Sequence, residues 1–193
     1  EVDSTPAQRS HAIWVLSRLG SLDLDRIESF AHDRYPVVRV HLMKAMAELP
    51  EWEGNERAWV IAALTDEDAF VRRAAAEALG LHPHLTNVIP LIDLWDAAST
   101  EDTHLIHVVR ISIRNNIRDL ANLPVLAEQL RYSPGRLARL ANICLGIKTA
   151  QSALFLLDYH LQSKPGTDQL VTVIHHIGRY LNVEDLDQLE NLV

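Results

Sequence analysis

The sequence predicts an all-α fold, an α-α superhelix or solenoid of about six antiparallel helix pairs. Three observations predict it. A segment built on Asp66, Val71-Arg72 and Leu79-Gly80 echoes one built on Asp33 and Val38-Arg39; the Val-Arg pairs are 33 residues apart, and each follows its Asp by five residues. Apolar residues recur at spacings of three and four along nearly the whole chain, which puts each set on one face of a helix. No segment alternates apolar and polar residues between hairpin turns, so almost no strand is expected.

The elements follow in order. The second helix of each pair is expected over about 5–19, 37–48, 70–79, 103–118, 134–147 and 169–181. The first opens at Thr5-Pro6 and runs through Ala12 and Leu16 to Leu19-Gly20. The next two carry the Asp…Val-Arg copies. A weaker copy starts at Glu101-Asp102 and runs through Leu105, Val109 and Ile113. Another follows Ser133-Pro134 through Leu137, Leu140 and Cys144, and the last follows Asp168 through Val171, Ile174 and Ile177. The first helices lie between them: Ile27 and Phe30; Trp59, Val60, Ala63 and Leu64; Val88, Leu91, Ile92 and Trp95; Val125, Leu126 and Leu130; Leu154, Leu157 and Leu161; Leu186, Leu189 and Val193. Gly20 and Gly80 fit helix ends. Pro50 to Asn55 reads as a long turn inside a repeat, and Trp52 within it as the most exposed aromatic. One pair cannot bury its apolar stripe alone, so the pairs must stack into a continuous core. Without proline-rich or charged spacers, residues 1–193 read as a single repeat domain.

Composition bounds the function classes. Of 193 residues 48% are hydrophobic, and 18 basic against 26 acidic side chains give a net charge of −8. That balance argues against a protein that coats itself with nucleic acid. No apolar run approaches the roughly 18 residues of a membrane span. The single cysteine, Cys144, excludes an internal disulfide, a Cys-based zinc site and a c-type haem. It follows Ile143 on an apolar stripe and reads as a buried small hydrophobe. The start at Glu1, without Met or signal peptide, suggests a fragment of a larger chain.

The Asp…Val-Arg…Ala…Leu-Gly pattern of residues 66–80 resembles HEAT repeats, especially the phycobilisome-lyase-like class. A narrower resemblance rests on Phe70-Val71-Arg72-Arg73-Ala74-Ala75-Ala76, then Asp102-Thr103-His104-Leu105-Ile106-His107 and Arg114-Asn115. These look like the HEAT module of large bacterial proteins that also carry a membrane-bound dehydrogenase-like propeller and a c-type cytochrome. That resemblance implies a periplasmic or cell-envelope location; otherwise the cytoplasm is expected. The neighbours' catalytic and haem motifs are absent here, so none of their chemistry carries over.

Charge placement is the informative functional feature. The six second helices hold 12 of the 18 basic residues and only two acids, Glu48 and Glu77. In HEAT-like arrays these helices line the concave face, so the resemblance implies a basic inner wall. Arg39, Arg72, Arg73, Arg110, Arg114, Arg136 and Arg139 are the expected binding residues. Arginine favours two-pronged grip on carboxylate or phosphate, and like charges in a concavity steer an opposite partner. A structural alternative sits beside this: Arg39 with Asp33, and Arg72 with Asp66 or Asp68, can form a ladder between loops.

Catalytic signatures are thin. His104 and His107, with Asp102, form the one weak metal candidate, and capping or packing explains them as well. HEAT-like metal hydroxylases carry His-Glu dipeptides, and this chain has none. Nucleophile elbow, Walker A and dinucleotide motifs are missing. No metal or cofactor is therefore expected. The expectation is a non-enzymatic scaffold that binds an acidic protein surface or a neighbouring domain of its own chain. The alternative is a nucleic-acid-binding or DNA-repair protein using the same groove, as one helical-repeat glycosylase family does.

Overall fold

The computed structural model describes residues 4–52, 54–118, 123–163 and 167–182, with side chains of the last stretch described from Leu170 on. Eleven α-helices and no strand occur among them. In chain order they are α1 (Pro6–Arg18), α2 (Leu24–Ala31), α3 (Pro36–Ala47), α4 (Glu56–Ala63), α5 (Ala69–Leu81), α6 (Val88–Ala97), α7 (Thr103–Ile117), α8 (Leu123–Leu130), α9 (Pro134–Cys144), α10 (Ala150–Ser163) and α11 (Thr167–Tyr180). The odd-numbered helices are the expected second helices. A helix on Leu186, Leu189 and Val193, and the Asp168 side chain as a cap, fall outside the described residues.

The chain divides into two compact units, Glu1–Asn116 and Ile117–Val193. In the first unit local chemistry starts the helices. Thr5 and Gln8 form a reciprocal capping box: the Gln8 N–H donates to Thr5 Oγ1 at 3.3 Å, and the Thr5 N–H to Gln8 Oε1 at 2.8 Å. Pro6 supplies a pre-set first residue. Asp23 accepts from the Arg26 N–H, and Asp68 from those of Phe70 and Val71, relieving donors the helix itself leaves unpaired. Helix α1 stops at Gly20, whose φ of 62° costs a glycine little.

Second helices α1, α3 and α5 pack side by side, with α2 against α3 and α4 against α5. Ile13, Ile27, Leu42, Met46, Val60, Leu79 and Leu91 are fully or almost fully buried between them. Ala74, Ala75, Ala76 and Ala78 are also buried, so α5 approaches its neighbours closely. Gly80 is not a helix end. It lies inside α5 against α7, where a Cβ would stand 2.6 Å from Ser112 Oγ. The end of α5 is sealed by side chains instead: Asn116 Nδ2 and Asn87 Nδ2 donate to the Leu79 carbonyl, Asn115 Nδ2 to that of Gly80, and Arg57 Nη1 to that of His82. Residues 48–55 join α3 to α4, so this turn lies between helix pairs rather than inside one. Trp52 is half-buried there, not the most exposed aromatic. Its Nε1 donates to the Met46 carbonyl at 3.0 Å, and its ring stacks on His82 at 4.0 Å.

In the second unit α10 packs against α9, α11 and α8. Leu126, Leu140, Cys144, Leu156, Leu157, Val173 and Ile177 form the core. Val125, Leu154 and Val171, expected there, face solvent; Leu126 and Leu157, also expected, are buried, and Leu156 and Val173, not expected, join them. Burial pushes the Cys144 thiol up to about 12, so it is an inert hydrophobe. No helix among the described residues is long and apolar enough to cross a membrane.

Candidate functional site

The site begins with two loops that repeat each other. Asp33 and Asp66 stand three residues before the first residue of α3 and of α5. Each makes the same turn: Oδ1 accepts from the N–H two residues on, Tyr35 or Asp68, at 2.8 Å. The fourth residue of each helix is an arginine, Arg39 or Arg72, and Arg9 holds that place in α1. Nη1 of Arg39 donates to the Asp33 carbonyl at 2.7 Å, and Nη1 of Arg72 to the Asp66 carbonyl at 2.8 Å.

The arginines also reach forward. Arg9 Nη2 lies 2.6 Å from Asp33 Oδ2. Nε and Nη2 of Arg39 grip both oxygens of Asp66 at 2.7 and 2.8 Å, and the two side chains are only 9% and 13% exposed. Hydrogen bonding to Asp66 raises the Arg39 pKa despite its burial. Burial alone would push the Asp66 carboxyl up. The hydrogen bonds from Arg39 and the Asp68 N–H, with the charges of Arg39 and Arg72, bring it below the usual carboxylate value. The next loop carries Thr100 at the matching position, so the ladder stops at Arg72. Arg72 turns its Nη1 to the Glu67 carbonyl as well, at 3.0 Å.

The ladder thus draws Arg39 and Arg72 into the loops. Arg39 is 8% exposed. Arg73, Arg110 and Arg114 stand on the outward sides of α5 and α7, with Arg110 over the Trp95 ring of α6. Arg136 and Arg139 are half-buried on α9, in the second unit. His104 and His107 are both exposed on α7. Among the described residues no three His, Cys, Asp or Glu side chains gather as they would around a metal ion.

Residues 24–113 match the family model for HEAT repeats. The matched stretch contains both equivalent loops and the helices they join. Residues 24–113 carry HEAT repeats. No curated protein and no solved structure matches the chain. HEAT repeats generally serve as non-catalytic scaffolds for protein interaction, and their stacked helices offer extended surfaces for it. On the second helices of the first unit, Lys44 and Arg114 are exposed and Arg73 is half-buried. None forms an ion pair among the described residues.

Beside them lies an unexpected apolar element. Pro36, Val37 and Val40 of α3 face Phe70 and Ala74 of α5 across a groove of about 400 Å³, bordered by Lys44, Asp68, Arg73 and Glu77. Phe70 is 62% exposed and Val37 47%. The Arg73 guanidinium lies 5.1 Å from the centre of the Phe70 ring. The signal was present in the pattern: Phe70, Arg73 and Glu77 share the face of α5 opposite Val71, Ala75 and Leu79.

Proposed function

We propose that this chain is a non-catalytic HEAT-repeat scaffold that binds an acidic protein surface, or an acidic neighbouring domain of a longer polypeptide, through the face of its second helices. The whole of 1–193 would serve as one repeat module. One observation carries the reading: Lys44, Arg73 and Arg114 stand exposed or half-buried without an ion pair among the described residues, while Glu77 is the one acid within α1, α3, α5 and α7. Exposed like charges on one face steer an oppositely charged partner and supply contacts that salt weakens. The overall charge of −8 favours a protein over nucleic acid as that partner.

The test is a double charge reversal, Arg73→Glu with Arg114→Glu, with proteins cross-linked to the tagged chain located by mass spectrometry. Cross-links from Asp- and Glu-rich partner segments to α3, α5 and α7 are expected in the parent and lost in the variant. Unchanged cross-links overturn the reading. Binding of a labelled 20-base-pair duplex at moderate salt, abolished by the same reversal, would replace it with the nucleic-acid alternative.

A further inference from the structure

We propose that the groove between α3 and α5 seats a large apolar side chain of a partner polypeptide segment whose flanking residues are acidic. This rests on the protein-binding reading above and adds what that reading lacks, an apolar anchor point. The groove is not a general sticky surface. Its apolar lining is confined to Phe70, Val37, Val40, Pro36 and Ala74, and its cations, Lys44 and Arg73, come one from each wall. Phe70 stands 62% exposed on a well-formed helix whose start Asp68 caps, so it is held outward rather than misplaced. An aromatic ring kept in water gives up favourable burial if nothing covers it.

Charge complementarity fixes the occupant. Lys44 and Arg73 face Glu77 at the groove edge, while the carboxylate of Asp68 is turned to the N–H groups of Phe70 and Val71 that open α5 and carry that helix end's partial positive charge. Arg114, on the outward side of α7, adds a further cation to the same set of second helices. A segment with carboxylates on both sides of a Phe, Leu or Trp answers both features. A duplex answers only the charge, since its bases are stacked away from an aliphatic wall. A partner of this kind places its apolar residue centrally and its charges on the rim, the usual division at protein interfaces.

The experiment is selection of a displayed library of random twelve-residue peptides on the full chain. Fluorescence anisotropy of one enriched peptide against Phe70→Ala, Val37→Ser and Arg73→Glu variants follows. Phe70 and Val37 are exposed, so these variants are expected to melt within a few degrees of the parent, and circular dichroism checks that. The expected result is enrichment of one large apolar residue bracketed by Asp or Glu, with binding at least tenfold weaker in Phe70→Ala and in Arg73→Glu. Acidic peptides with no apolar preference, sensitive to Arg73→Glu but not to Phe70→Ala, would overturn the groove while leaving the basic-face reading intact. Peptides indifferent to all three substitutions, or no enrichment at all, would overturn both.

Discussion

The two units carry the same helix-pair pattern, and each is held together internally by different chemistry. In Glu1–Asn116 the loops do the tying: an Asp three residues before a helix and an Arg at its fourth position connect one loop to the next through Asp33, Arg39, Asp66 and Arg72. At the matching places around α9 the second unit has Arg131 and Leu137, so that chemistry cannot form there. Its buried polar tie is Ser152, whose Oγ donates to the Ile147 carbonyl at 2.5 Å and meets His176 Nε2 at 3.2 Å. The HEAT match, over residues 24–113, covers both Asp-Arg loops and stops short of the second unit. Helix pairing makes a stack of this kind possible; the matched stretch is also the one that carries the Asp-Arg loop chemistry.

The largest expected effect breaks the first unit's ladder. Asp66→Ala leaves the Arg39 guanidinium buried without its carboxylate, and a loss of about 3–5 kcal/mol is expected in chemical denaturation. Ser152→Ala removes one hydroxyl and should cost about 1–2 kcal/mol. Hydrogen exchange would locate each loss in its own unit, and a costlier Ser152→Ala would invert the comparison. Gly80→Ala forces a methyl onto Ser112, with an expected cost of about 1–3 kcal/mol confined to the first unit.

Acid separates the two ties by pH. The Asp66 carboxyl is lowered in the folded state, so its contribution is present above the ordinary carboxylate pKa of about 4 and is lost as pH falls below it. The His176 imidazole is lowered by burial, partly countered by its bond to the backbone of Ile147. The unfolded chain therefore takes up that proton first, and stability falls as pH drops through about 6.5. His41 and His82, both lowered chiefly by burial, act the same way in the first unit. Asp66→Asn is expected to flatten the fall below about pH 4, and His176→Gln part of the fall between about pH 6.5 and 5. Amide exchange across a pH series checks both. The smallest effect extends the ladder: Thr100→Asp offers Arg72 the missing carboxylate and should raise stability by about 0.5–1 kcal/mol, measured as a rise in Tm.

Much of the fold was legible because the loop pattern is local. Asp33 and Asp66 announce their helices within six residues, and the register of α3 and α5 follows. The second unit was harder to orient. Helix α10 runs Leu154-Phe155-Leu156-Leu157, apolar on every side, so spacing picks out Leu157 but cannot choose Leu156 over Leu154 as its inward companion. The half-burial of Trp52 is not legible from its place in a turn, because it depends on the Met46 carbonyl at the end of α3 and on His82, 30 residues on. For the site, the charge count pointed to the second helices, yet it could not tell an arginine serving a loop from one facing water. That distinction depends on the next loop, where Asp66 receives Arg39 and Thr100 cannot receive Arg72. Phe70 enters the sequence reading only as part of a motif and not as a site residue, because an exposed aromatic breaks the rule by which core residues are picked.

The seal on the end of α5 bears on the order in which the protein is assembled. Asn87 lies eight residues beyond the Leu79 carbonyl it closes, and Asn116 lies 37 beyond. A nascent chain released only as far as Leu81 has nothing but water for those carbonyls. The last turn of α5 is therefore completed by sequence that has yet to be made, and the ribosome must deliver α6 and α7 before that end can set.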